Sequence, residues 1–202
     1  MIMEQVCVVL YFNFVKGFVK IMRIITGTVR GRRLEAPRGS DTVRPTTDKV
    51  KEAIFSMIQF DIEGKCVLDL FAGSGQLGLE ALSRGAESAV FIDAAHSSFQ
   101  LTKRNVAVCG FEDKAKVYNA DFKAFLNGTQ DKFDIAFLDP PYAAGLLNDA
   151  ILSVSEKMNP DGIIVCEHGA DFDIPELVGF LRKDRIYGKT TVVTVFRKEG
   201  IV

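Results

Sequence analysis

A chain of 202 residues with 48% hydrophobic and 25% charged content can bury one substantial core, so one domain with a small appendage is expected and two full domains are excluded. Cys7, Cys66, Cys109 and Cys166 form no C-x-x-C pair and His96 and His168 stand alone; no disulfide framework or metal site is assigned, and a reducing, cytoplasmic location is expected. The formal net charge of −1 excludes a protein coated in basic surface.

Residues 1–21, MIMEQVCVVLYFNFVKGFVKI, are apolar but interrupted by Glu4, Lys16 and Lys20. They lack a basic leading segment and a small-residue cleavage site, and are too short to span a membrane. The expectation is a dispensable extension and no membrane partner. Arg23 to Val29 then reads as a short strand, Gly31 to Arg33 as a turn and Leu34 to Pro37 as a return, giving an arginine-rich hairpin. Arg38 to Pro45 is a loop. Thr46-Thr47-Asp48 supplies an N-cap and a first-turn acid for a helix to about Phe60, with Val50, Ile54, Met57 and Ile58 on one face.

Between Met22 and Lys51 lie eight basic residues, Arg23, Arg30, Arg32, Arg33, Arg38, Arg44, Lys49 and Lys51, against three acids, Glu35, Asp41 and Asp48. The rest of the chain must then be net acidic. Residues 22–62 read as a basic arm on an acidic body, an electrostatic footprint for nucleic acid, although an ordinary solvated face has the same composition. Arg30, Arg32, Arg33, Arg44 and Thr46 are its candidate contacts.

From Lys65 onward, short apolar runs alternate with helical patterns. Cys66 to Leu70, Ala89 to Asp93, Lys116 to Tyr118, Phe133 to Leu138 and Gly162 to Cys166 read as strands. Leu77 to Ser83, Ser98 to Val108, Phe122 to Leu126 and Leu146 to Met158 read as helices. The tail, Arg185 to Lys198, holds two β-rich runs split by Gly188, with Thr190 to Phe196 the longer. Residues 63–202 are thus expected to be an α/β domain with a mostly parallel sheet, covered on both faces and closed by an antiparallel strand.

Asp69-Leu-Phe71-Ala72-Gly73-Ser-Gly75-Gln-Leu-Gly78 follows the first strand and opens a helix. Gly73, Gly75 and Gly78 spell G-x-G-x-x-G, and Asp93 at the end of the second strand suits a ribose-binding acid, so a dinucleotide site is one reading. Asp69 separates the cofactors. A carboxylate at the strand end would repel a pyrophosphate, whereas S-adenosylmethionine brings an amino group and a sulfonium, both cationic, which an acid beside a glycine turn accommodates. Asp121, followed by Phe122, is positioned to meet an adenine, and equally to cap the next helix.

The run Phe133 to Leu138 ends in Asp139-Pro140-Pro141-Tyr142, at the carboxyl edge where ligands sit in open α/β sheets. An exocyclic base amine is a poor nucleophile because its lone pair is delocalised into the ring. The Asp139 carboxylate and the Pro140 carbonyl, aimed at its hydrogens, would hold it and favour tetrahedral nitrogen. Pro140 and Pro141 stiffen the loop, and Tyr142 offers a ring for stacking. No covalent nucleophile is required, and no cysteine is expected nearby. Asp-Pro-Pro is also common turn chemistry; its pairing with the glycine loop on an earlier strand is what points to a site.

The order "MRIITGTVRGRRLEAP", "VRPTTDKVKEAIFSMI", "DLFAGSGQLGLEALSRGA" and "FLDPPY" resembles the RsmD-type small-subunit (16S) ribosomal RNA guanine-N2 methyltransferases from Met22 to about Lys198. The resemblance implies a Rossmann-like seven-stranded class I methyltransferase sheet, mostly parallel with the last strand antiparallel, and an N-terminal hairpin and helix arm. It implies S-adenosylmethionine as donor and a guanine N2 of ribosomal RNA, within a small-subunit particle, as acceptor. By position, Asp69, Phe71, Ala72, Gly73, Gly75, Gly78, Asp93, Asp121 and Phe122 would bind cofactor, and Asp139 to Tyr142 the base. Asp93 stands where the family is expected to carry Glu, and residues 1–21 have no counterpart. The competing readings are a DNA adenine-N6 or cytosine-N4 methyltransferase, an inactive RNA-binding module and a nicotinamide oxidoreductase; the first needs a larger groove-reading region than this arm.

Overall fold

Strands buried on both faces need apolar residues pointing both ways, and the runs after Lys65 supply them. The computed structural model describes residues 22–37, 48–141, 145–187 and 191–199. Arg44, Thr46, Tyr142, the loop from Arg38 to Pro45 and residues 1–21 lie outside the described residues. Among the described residues, seven strands, β1 (Cys66–Asp69), β2 (Ser88–Asp93), β3 (Ala115–Asn119), β4 (Phe133–Leu138), β5 (Met158–Gly169), β6 (Phe180–Tyr187) and β7 (Thr191–Lys198), form one sheet in the order β3-β2-β1-β4-β5-β7-β6. The first five are parallel, and β7 runs antiparallel to both β5 and β6. The last strand alone is reversed, as expected. The helices are α1 (Asp48–Met57), α2 (Gln76–Ser83), α3 (His96–Cys109), α4 (Phe122–Gly128) and α5 (Leu147–Ser155).

Alternation along β4 divides the core. Ile135 and Phe137 join Val67, Phe91 and Val165 beneath the arm, α2 and α3. Ala136 and Leu138 join Leu68, Ile92 and Ile164 beneath α4 and α5. The chain moves from β1 outward through β2 to β3, then returns to place β4 on the other side of β1. That reversal opens a crevice at the carboxyl ends of β1 and β4, the ligand position of such sheets.

The hairpin is shorter than expected. Its paired part is a single bridge, Arg23 to Arg33, flanked by Ile24 N donating to Arg32 O at 2.9 Å and Leu34 N donating to Met22 O at 2.9 Å. From Thr26 the chain turns instead of continuing to Val29, because α2 claims its backbone. Thr28 N donates to Ser83 O at 2.7 Å, Ser83 Oγ donates to Thr26 O at 2.6 Å, and a Cβ on Gly27 would sit 1.8 Å from Ser83 O. The buried Glu80 carboxylate accepts from Ile25 N and Thr26 N at 2.7 and 2.9 Å.

Lys51 corrects the charge reading of the arm. It is fully buried, its Nζ 3.6 Å from Glu80 Oε2 and donating to Arg23 O at 2.6 Å. It is therefore an internal cation of the docking joint and contributes nothing to a surface footprint. Helix α1 stops at Met57 rather than near Phe60, where Arg197 donates to Met57 O at 3.2 Å and pairs with Asp61 at 2.8 Å. Phe55, not among the expected core residues, is buried against Phe137 with ring centroids 5.6 Å apart. Strand β5 begins at Met158, which the expected helix had included, and β6 begins at Phe180 rather than Arg185.

Candidate active site

Asp69 ends β1 with its side chain 3% exposed, one oxygen accepting from Gly78 N at 3.0 Å. Burial above all, with the charges of Asp139 and Asp93 adding, pushes its carboxyl up to about 7. The loop that follows turns at Gly73 (φ 56°) and Gly75 (φ 77°), a left-handed backbone that only glycine adopts without strain. Gly75 stands at the N-cap of α2 with no side-chain cap hydrogen bond. Gly78 serves packing: a Cβ there would lie 2.3 Å from the Phe91 ring.

Asp93 closes β2 beside this loop. Its Oδ2 accepts from Gly73 N at 2.8 Å and its Oδ1 from Ala95 N at 2.8 Å, so the acid that was expected to face a ribose also ties the glycine loop to β2. Asp121 caps α4, accepting from Lys123 N and Ala124 N at 2.9 and 3.2 Å. Phe122 is buried and its ring lies 5.4 Å from that of Phe71. Ala72, also buried, donates to Ile92 O at 3.0 Å.

Two residues of this site were not among those singled out from sequence. Thr102 Oγ1 donates to Gly73 O at 3.0 Å, and Asn105 Nδ2 donates to Ser74 O at 2.8 Å. Both are buried on α3, three residues apart, and a polar pair on the inward face of a helix was the signal available. Asn105 also accepts from Glu35 N at 2.7 Å and donates to Glu35 O at 3.1 Å, so one amide joins the arm to the glycine loop.

Asp139, Pro140 and Pro141 leave β4 next to the end of β1, where Asp69 is in register with Phe137 and Leu70 N donates to Phe137 O at 3.0 Å. Pro140 and Pro141 line a cleft with Gly145, Leu146, Leu147, Glu167, His168 and Phe172. His168 is held by both ring nitrogens, Nε2 2.9 Å from Thr194 Oγ1 and Nδ1 2.8 Å from Gly169 O. Thr194 donates onward to Asp184 at 2.7 Å, which pairs with Arg182 at 2.9 Å. Cys166 stands in register with Leu138, so a cysteine does lie near the tetrapeptide, contrary to expectation. Its thiol is buried in the core and burial pushes it far up, so it carries no thiolate to act as a nucleophile.

Arg30, Arg32 and Arg33 are exposed on the docked hairpin and do not line this cleft. The structure thus gathers Asp69, the glycine loop, Asp93, Asp121 and Asp139 to Pro141 at one sheet edge, with the three arginines set apart on the arm.

A sheet of this order, with its last strand reversed and a glycine loop facing Asp-Pro-Pro across β1 and β4, is that of the methyltransferase class. The family described as Conserved hypothetical protein 95 matches residues 22–196, and the chain belongs to that family, of RsmD type. It is 42% identical to YlbH of Bacillus subtilis (strain 168) over 186 residues, 89% of this chain and all of that one. It is 42% identical to ribosomal RNA small subunit methyltransferase D of Escherichia coli (strain K12) over 172 residues, 83% of this chain and 86% of that one. The solved structure of yhhF from Escherichia coli superposes with a TM-score of 0.79 at 29% identity, covering 89% of this chain and 99% of that one.

Proposed function

We propose that this protein transfers a methyl group from S-adenosylmethionine to the exocyclic N2 amine of a guanine in 16S ribosomal RNA, within a small-subunit particle. The observation that carries the reading is the adjacency of the β1 glycine loop and the β4 Asp139-Pro140-Pro141 exit at one sheet edge. The name of the Escherichia coli relative supports the RNA class.

The residues at the β1 edge fit the donor. Asp69 gains from a cationic neighbour because its burial disfavours an isolated charge. The open face of Gly73, where a Cβ would meet only Phe71 O at 4.0 Å, lets a ligand approach the backbone closely. When bound, S-adenosylmethionine supplies a methyl carbon activated by its sulfonium. Asp139 would accept a hydrogen bond from one N–H of the target amine and the Pro140 carbonyl from the other, turning the nitrogen lone pair out of the ring plane; on transfer the S–CH3 bond would break, leaving the thioether, and the methylated nitrogen would release one proton. Arg30, Arg32 and Arg33, with Arg44 and Thr46, hold RNA phosphates and set the orientation of the substrate.

The test is methyl transfer to small-subunit particles from cells lacking the enzyme, followed by nuclease digestion and mass spectrometry of the nucleosides. N2-methylguanosine in 16S RNA is the expected product. Methylation of an adenine or cytosine amine, or of DNA alone, would contradict the assignment.

A further inference from the structure

The cleft beside the tetrapeptide holds a carboxylate that the mechanism above leaves unused. Strands β4 and β5 pair with Leu138 opposite Cys166, so the next residues along the two parallel strands are Asp139 and Glu167. Glu167 is half-buried and lines the cleft with Pro140, Pro141 and Phe172. Its neighbour His168 has both ring nitrogens engaged with Gly169 and Thr194. Two acids therefore stand on neighbouring chain segments, Asp139 just past the end of β4 and Glu167 near the end of β5, where it lines the cleft of proline and phenylalanine.

The chemistry of the base edge gives the second acid a task. Beside the N2 amine of guanine lies N1–H, a donor. Beside the N6 amine of adenine lies N1, and beside the N4 amine of cytosine lies N3, both bare acceptors. An ionised carboxylate accepts and cannot donate, so an acid next to Asp139 attracts the guanine edge and repels the other two. A site built to hydrogen-bond one group rejects the analogue lacking it far more strongly than an apolar pocket can.

We propose that Glu167 is the residue that determines base specificity, its carboxylate accepting N1–H of the target guanine while Asp139 and the Pro140 carbonyl hold the N2 hydrogens. The inference rests on the guanine-N2 reading and deepens it.

The experiment uses the full chain and small-subunit particles whose target nucleotide, located first by the nucleoside digest, is either guanosine or 2-aminopurine riboside. The latter keeps the N2 amine and has a bare N1. Wild-type protein is expected to methylate guanosine roughly 10- to 100-fold faster in single turnover, the discrimination of one well-made base contact. Glu167→Gln, whose amide can donate to a bare N1, should bring the two substrates to within a few-fold, with cofactor Kd and Tm unchanged. Glu167→Asp, which withdraws the acceptor but cannot donate, should lose guanosine rate without gaining 2-aminopurine rate, and serves if the amide variant does not fold. An unchanged guanosine preference in Glu167→Gln, or its absence in wild type, overturns the role of Glu167 while leaving N2-methylguanosine as product. A wild-type digest with the methyl group on adenine or cytosine overturns the guanine reading and this inference together.

Discussion

Asp69 is a site residue whose chemistry departs far from its type. Its carboxyl, held at about 7 in the folded protein by burial first, returns to the ordinary carboxylate range on unfolding. The folded state therefore binds the proton more tightly. The stability this contributes is fully present only below about pH 4 and is lost progressively as the pH rises to about 7, an effect on the order of 4 kcal/mol at most. Urea unfolding between pH 4 and pH 8 should show that decline in wild type and a flatter profile in Asp69→Asn; equal profiles would remove Asp69 from the account. Affinity for S-adenosylmethionine should rise through the same interval, because a cationic ligand favours the deprotonated acid. Calorimetry across that range checks it. The strand-end position of Asp69 was legible in the sequence, since an acid closed an apolar run before a glycine turn. Its bond to Gly78 N was not, because a carboxylate reaching back to a helix it precedes leaves no mark on local periodicity. The nearness of Cys166 was equally hidden, being a matter of the β4–β5 register.

At the scale of elements, α2 does two jobs. Its first turn grows from the glycine loop, and its last two turns hold the hairpin through Glu80 and Ser83. Glu80 also pairs with Arg84 at 2.9 Å and lies 3.6 Å from the buried Lys51. Replacing one member of a buried ion pair strands the other. Glu80→Gln is therefore expected to destabilise the protein by about 3–5 kcal/mol in denaturant titration, and a loss below about 1 kcal/mol would show that the joint is not held by charge. From sequence, Lys51 counted with the basic residues of the arm and Glu80 drew no notice, because each sits in an ordinary helical pattern and the partner lies on another element. The same limit moved the edges of β5 and β6. Asn159-Pro160-Asp161 resembles a turn yet joins β5, with Asn159 Nδ2 donating to Asp134 at 2.9 Å. Arg182 to Asp184 fell outside the expected strand because an exposed edge strand is charged rather than alternating.

Across the whole molecule, the parallel sheet and its reversed last strand were legible because buried strands require apolar runs, and runs alternating with helices leave few topologies. What the sequence did not disclose is how the arm joins the site: Asn105 holds both Glu35 and Ser74, so the arginine hairpin and the glycine loop share one support. With Arg30, Arg32 and Arg33 replaced by Ala, binding to small-subunit particles should weaken and its salt dependence flatten, while cofactor affinity holds. An unchanged salt slope would leave the hairpin as ordinary solvated surface. The most direct test of the mechanism is single-turnover methyl transfer by Asp139→Ala on particles from a strain lacking the enzyme. Loss of an acceptor that acts on the transition state should lower the rate by about 10²-fold or more, with cofactor Kd and Tm near wild type. Transfer close to the wild-type rate by a folded Asp139→Ala protein would contradict the account.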